Sequence, residues 1–191
     1  MIALTFDDGY GSSRTLQVLR ILQRSRVSAT FFPIALAVKA SPATWQTVAA
    51  AGFPIANHTY DHAKLAGRCY ATQRTELTRW TKTLQSIGVT PLPAMRPPGG
   101  AFDLTTRLAV TGAGLAALVL WDVDTRDWEG ATSTTIAARA LAGREGSIVL
   151  MHTGRANTVA ALPRIIDGYR SRGFTFVTIG QLLGIDGPVP F

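Results

Sequence analysis

The side chains of this chain best suited to binding a cation or moving a proton are three histidines, His58, His62 and His152, and the carboxylates of Asp7, Asp8, Asp124 and Asp127. His58 and His62 stand four apart in Asn57-His58-Thr59-Tyr60-Asp61-His62. If that segment enters a helix, both imidazoles leave the same face and can grip one ion. Alone, the spacing equally describes a solvated helix face, or core histidines bonded to backbone carbonyls. Asp7-Asp8 offers the missing carboxylate. Adjacent residues at a strand end point in opposite directions, so one can serve a metal while the other serves the reacting water. An Asp-Asp-Gly turn with solvated carboxylates is the plainer use of the same residues. Two imidazoles and one carboxylate leave coordination positions open for water and substrate, as a hydrolytic zinc-type site requires. Non-haem iron oxygenases use the same donors, and only fold analogy speaks against them here.

These residues must be brought together by the chain's regular elements. Short apolar, β-branched or aromatic runs recur at Ile2 to Phe6, Ser28 to Pro33, Phe53 to Ala56, Pro93 to Met95, Ala117 to Trp121, Ile148 to Met151 and Phe174 to Val177. Between them the apolar spacing is helical, as in Leu16, Val18, Leu19 and Leu22, in Trp45, Val48 and Ala49, and in Leu162, Ile165, Ile166 and Tyr169. Seven strand candidates alternating with helices predict an α/β fold, an incomplete or distorted (β/α) barrel of about seven parallel strands; an open doubly wound sheet competes with it. The three histidines, Asp7, Asp8, Arg96, Asp124 and Asp127 all fall at or just beyond C-terminal ends of these strands. In a parallel fold those ends open on one face, where active sites are assembled. Thr178 to Leu183 is expected to form a last short helix, and Gly187 to Phe191 a tail.

Composition sets the limits. The sequence has 191 residues, 47% of them hydrophobic and 16% charged, enough for a substantial core in a single domain spanning 1–191. Its net charge of +7 favours an anionic partner or surroundings. The basic residues are scattered without a basic-aromatic stripe, so no nucleic acid partner is expected. Cys69 is the only cysteine, which excludes an intrachain disulfide and a cysteine metal cage. The longest apolar runs, such as Leu115 to Trp121, fall far short of the roughly 20 residues of a transmembrane segment. Met1 runs directly into Ile2-Ala3-Leu4, so the expectation is a cytoplasmic protein or one whose leader has been removed.

Taken jointly, the motifs resemble the polysaccharide deacetylase family, the carbohydrate esterases of family 4 that share the NodB homology domain. From Ile2 to about Leu183 the family's five motifs occur in order: Thr5-Phe6-Asp7-Asp8-Gly9, His58-Thr59-Tyr60-Asp61-His62, Arg96-Pro97-Pro98-Gly99-Gly100, Asp124-Thr125-Arg126-Asp127-Trp128 and Leu150-Met151-His152. The resemblance implies one divalent ion, zinc or alternatively cobalt or another metal, held by Asp8, His58 and His62. It implies that Asp7 is the general base, held by Arg96, and that His152 is the acid, oriented by Asp127. It places the oxyanion near the Gly99 N–H and the acetyl methyl between Leu150 and Trp128. The implied reaction is metal-dependent removal of N-acetyl groups from N-acetylglucosamine in peptidoglycan- or chitin-type carbohydrate, by a monomer outside the cell or at its wall. Acetyl xylan esterase is the alternative with the same machinery. A noncatalytic glycan-binding module and a hydrolase of small cyclic amides are more distant alternatives. Three positions depart from the family's commoner pattern: Tyr10 replaces a proline, Gly99 stands where a tyrosine is frequent, and Thr153 where an acid is. The missing tyrosine ring bears on substrate preference.

Overall fold

The computed structural model describes residues 1–185; the expected tail, Gly187 to Phe191, lies outside the described residues. Three long strands form its centre: β1 (Ala3–Asp8), β2 (Ala29–Pro33) and β6 (Ile148–His152). Between β2 and β6 in the chain lie β3 (Ala94–Met95), β4 (Ala117–Leu118) and β5 (Val123–Asp124). All pairings are parallel, in a four-stranded sheet ordered β2-β1-β6-β5 and a two-stranded sheet β3-β4. The bridges Phe31↔Ile55 and Asn57↔Met95 connect the two sheets through residues 55–57. Seven parallel segments thus curve around in the order β4, β3, 55–57, β2, β1, β6, β5, and the ring stays open between β4 and β5. This is the distorted, incomplete barrel expected from the alternation.

Two expected strands shrink to single bridges, for identifiable reasons. Pro54 lacks an N–H, so the run Phe53 to Ala56 cannot sustain a ladder. Phe174 to Val177 pairs only at Ile2↔Phe176, because β2 takes up the flank of β1 from Leu4 onward. Conversely β5 forms within an acidic, tryptophan-flanked run that reads as a loop, and it adds to β6 through Val123↔Val149 and Asp124↔Leu150.

The helices that cover the strands are α1 (Ser12–Ser25), α2 (Ala35–Ala40), α3 (Pro42–Ala50), α4 (Tyr70–Ser86), α5 (Leu104–Gly112), α6 (Ser133–Ala140), α7 (Ala156–Ser171) and α8 (Ile179–Leu183). The helical apolar spacing is realised: Val18, Leu19 and Leu22, then Trp45 and Val48, then Leu162, Ile165, Ile166 and Tyr169 are all buried. Phe31 sits at the centre of this core, stacked on Phe6 at 5.4 Å and edge-on to Trp45 at 6.2 Å and Phe53 at 5.9 Å. Among the described residues no helix is long and apolar enough to cross a membrane.

Candidate metal and catalytic site

The C-terminal ends of β1 and β6 and the loops after residue 57, β3 and β5 open on one cavity of about 360 Å³. Its walls carry Asp7, Asp8, His58, His62, Gly99, Trp128, Leu150 and His152, together with Trp121, Asp124 and Arg155. Arg96 and Asp127, the remaining residues singled out in the sequence, stand directly behind this wall and bond to side chains in it.

Asp8 ends β1 in a left-handed conformation, φ 71°. That twist breaks the strict alternation of a strand, so both Asp7 and Asp8 line the cavity and do not point to opposite faces. The segment through His58 and His62 does not enter a helix. Thr59 (φ 65°) and His62 (φ 70°) turn the backbone left-handed, a conformation unfavourable to a β-branched residue and tolerated only where surroundings impose it. The surroundings here are specific. Asn57 Oδ1 accepts the Thr59 N–H at 2.8 Å while its Nδ2 donates to the Leu77 carbonyl at 3.0 Å. Glu76 accepts the Tyr60 N–H at 3.1 Å, and the Thr59 and Tyr60 carbonyls accept from Ala35 and Leu36. Helices α2 and α4 therefore clamp the histidine loop, and the two rings meet with centroids 5.1 Å apart.

His58 Nδ1 lies 2.7 Å from the Arg96 carbonyl, which can only accept; Nδ1 therefore carries the hydrogen and Nε2 presents its lone pair to the cavity. Burial pushes the His58 pKa down, against the opposing charges of Asp7 and Asp8, so the ring is held in the neutral form a ligand needs. Its Nε2 is 3.7 Å from Asp8 Oδ1, and His62 Nε2 is 3.4 Å from the same oxygen. The three ligand atoms lie within 4.8 Å of one another. Ligand atoms on a tetrahedral zinc sit about 3.3–3.5 Å apart, given bond lengths near 2.0–2.1 Å, so the spacing suits a shared ion. Asp8 Oδ1 is moreover buried without a hydrogen-bond partner, a position that a cation would satisfy. These residues fit a divalent metal.

Asp7 is buried, and its Oδ1 accepts from Arg96 Nη1 at 2.8 Å. The same Nη1 reaches Thr5 Oγ1 at 2.8 Å, Nη2 donates to the Leu120 carbonyl at 3.1 Å, and Phe32 lies against the guanidinium at 4.4 Å. The Asp7 Oδ2 atom is left toward the cavity, 3.7 Å from His58 Nε2. Across the cavity, His152 Nδ1 bonds Asp127 Oδ1 at 2.6 Å. Asp127 Oδ2 also accepts the His152 backbone N–H at 2.8 Å and the Thr158 hydroxyl. Burial lowers the His152 pKa, but the hydrogen bond and charge of Asp127 outweigh it, and the net shift is upward. Burial likewise raises the Asp127 carboxyl, yet its bonds from His152 and Thr158 hold it below the usual carboxylate range. The pair therefore favours imidazolium beside carboxylate.

Several contributors were not legible in advance. Glu76 and Thr158 act through contacts that only the tertiary fold creates. Arg155 flanks a recognised motif, so adjacency was the one available signal. Trp121 covers the glycine pair of the third motif: a Cβ on Gly100 would come within 3.0 Å of its ring.

Known proteins resemble this chain in sequence and in fold. The family model for polysaccharide deacetylase matches residues 1–118. The peptidoglycan-N-acetylglucosamine deacetylase PgdA of Listeria monocytogenes is 35% identical over 185 residues, covering 96% of this chain and 39% of the Listeria protein. The chain thus spans well under half the length of that relative. A chitooligosaccharide deacetylase of Bradyrhizobium is 35% identical over 198 residues, covering 95% of this chain and 90% of its own length. A family 4 carbohydrate esterase of Streptomyces lividans, solved with acetate, superposes with a TM-score of 0.89 at 31% identity, over 98% of this chain and 97% of that one. With the fold, the motif order and full-length likeness in accord, this chain belongs to the polysaccharide deacetylase family, the family 4 carbohydrate esterases.

Proposed function

We propose that residues 1–191 form one catalytic domain, a metal-dependent hydrolase that removes N-acetyl groups from N-acetylglucosamine in a peptidoglycan- or chitin-type glycan. The observation that carries this reading is the opposition of Asp7, backed by Arg96, and His152, backed by Asp127, across one cavity that also holds the Asp8, His58 and His62 cluster. The names of the Listeria and Bradyrhizobium relatives support the substrate class. A peptidoglycan substrate would place the enzyme outside the membrane, at the wall.

Asp8, His58 and His62 would hold the ion, with zinc or cobalt suited to this donor set. When bound, such an ion supplies Lewis acidity for the acetyl carbonyl and eases ionisation of water near neutral pH. Asp7 takes the proton of the attacking water through the oxygen not committed to Arg96. The carbonyl carbon gains a C–O bond, and its oxygen becomes an oxyanion within reach of the Gly99 N–H. His152, kept protonated by Asp127, gives its Nε2 proton to the sugar nitrogen as the C–N bond breaks, leaving acetate and an amine. Leu150 and Trp128 in the cavity wall receive the methyl group.

Acetate release measured on chitooligosaccharide, peptidoglycan and acetylated xylan, with zinc present, tests the proposal. Turnover of the first two above the third is expected. Faster release from xylan would make the protein an O-deacetylase, and silence on all three would end the carbohydrate reading.

A further inference from the structure

The catalytic cavity does not end at Trp128. A second depression of about 280 Å³ continues from it, walled by Arg14, Asp127, Trp128, Gly130, Gly154, Arg155, Ala156 and Asn157. Trp128 and Arg155 belong to both, so the second space adjoins the one that holds the metal cluster. We propose that Arg14 and Arg155 form an anion-recognising subsite that selects glycans carrying a carboxylate on the sugar next to the acetylated one. This rests on the deacetylase reading above and narrows it to acidic glycans.

The argument is one of uncompensated charge. The Arg155 side chain is exposed and, among the described residues, takes part in no hydrogen bond or ion pair; only its backbone carbonyl is engaged, by the Val159 N–H. Arg14, also exposed, spends only Nη1, on the Gly154 carbonyl at 3.2 Å, which steers it toward this rim. The acids that could neutralise them are engaged elsewhere. Asp127 is buried and bound to His152 and Thr158, and Glu129 lies 3.9 Å from Arg126. Asp124 shares the catalytic cavity with Arg155 but forms no ion pair with it, and it is absent from the walls of the second one. Thr153, next to His152, is uncharged and fully buried, so no carboxylate at that position offsets the arginines. Gly130 in the same wall carries no side chain, and a Cβ there would meet only open space. Two planar, permanently charged forks at the edge of a cleft suit a carboxylate, and Trp128, half-exposed in the same wall, offers apolar surface to a sugar ring.

Two sources carry that chemistry, a lactyl ether on a neighbouring amino sugar and a neighbouring uronic acid. Both can be compared with neutral controls on the zinc-loaded full chain. The substrates are an N-acetylglucosamine–N-acetylmuramic acid oligomer, its carboxamide, an N-acetylglucosamine–glucuronate oligomer and a chitooligosaccharide of equal length. At low salt, kcat/KM on at least one acid is expected to exceed that on its neutral counterpart about tenfold, the worth of one good charge-assisted contact, mainly through KM. The Arg14→Gln/Arg155→Gln variant should bring that ratio close to one, Arg155→Lys should keep part of it, and added salt should erode it. Binding of the corresponding amine products, acid against carboxamide, gives a readout that needs no turnover. Selective binding that disappears in the double variant while no substrate releases acetate would keep the subsite and discard the deacetylase reading. Equal kcat/KM and equal binding for acid and carboxamide, or a preference that survives the double substitution, would overturn the subsite.

Discussion

Replacing Arg96 by methionine exposes how far the buried pair with Asp7 supports both fold and site. The guanidinium is fully buried, and its removal deletes three donor contacts: to Asp7 and Thr5 at 2.8 Å each and to the Leu120 carbonyl at 3.1 Å. Methionine keeps much of the aliphatic bulk beside Phe32, so the change acts mainly through charge and hydrogen bonding. Asp7, only 2% exposed, is then a carboxylate without its counter-charge. Breaking a buried pair from one side costs about 3–5 kcal/mol. In a chain of 191 residues each kcal/mol moves the unfolding midpoint by roughly 2–4 °C, so a fall of about 6–20 °C is expected. Asp7→Asn should be costly as well, since it strands the guanidinium with Thr5 and Leu120 alone. The double variant removes both charges, and its loss should fall short of the summed single losses by about 2–3 kcal/mol. Urea unfolding of all four chelated proteins near neutral pH measures this cycle. A loss below about 1 kcal/mol in Arg96→Met, or additivity within about 0.5 kcal/mol, would refute the claim that these groups depend on each other.

Asp127→Asn removes the largest influence that lifts the His152 pKa, leaving burial to push it down against the weaker pull of Asp7 and Asp8. Because the acid form is the working one, activity is lost as pH rises through that pKa, so the alkaline limb of the kcat profile should move to lower pH, with turnover down on the order of 10²- to 10⁴-fold; an unmoved limb would count against His152 as the acid. Asp7→Asn should retain metal and lose turnover, whereas His58→Ala should lose both, as judged by metal analysis alongside acetate release; equal retention in the two variants would overturn that division. Gly9→Ala should destabilise by about 2–4 kcal/mol in thermal unfolding, because φ is +82° and the new Cβ would come within 2.5 Å of Trp45 Cζ2 and 2.8 Å of Pro33 Cβ. A near-neutral result there would show that the turn after Asp8 is softer than its packing indicates.

What could be read in advance follows from how locally each feature is encoded. Strand-end placement made Asp7, Asp8, Arg96 and His152 legible, because in a parallel α/β fold the end of a strand has only one destination. The geometry of the histidine loop was not legible from its spacing of four. Its left-handed turns at Thr59 and His62 are imposed by Asn57, Glu76 and the α2 backbone, and Glu76 is remote in the chain. Helix α4, which supplies that clamp, turns Gln73 and Glu76 inward along with Leu77, Trp80 and Leu84. Two polar residues on its buried face blur the apolar period by which a helix is recognised. Strand β5 was hidden for a related reason: Val123 and Asp124, one valine flanked by aspartates, carry no alternation, and β6 alone makes them a strand. The second cavity left no motif, since Arg14 and Arg155 converge only through the packing of α1 against α7.

The central claim is that Asp8, His58 and His62 share one cation, and X-ray absorption on the zinc-loaded protein tests it most directly. The predicted spectrum shows zinc bonded to nitrogen and oxygen at about 2.0–2.2 Å with scattering from two imidazoles, reduced to one in His62→Ala. Zinc that fails to bind stoichiometrically, or a shell with no imidazole signature, would contradict the account.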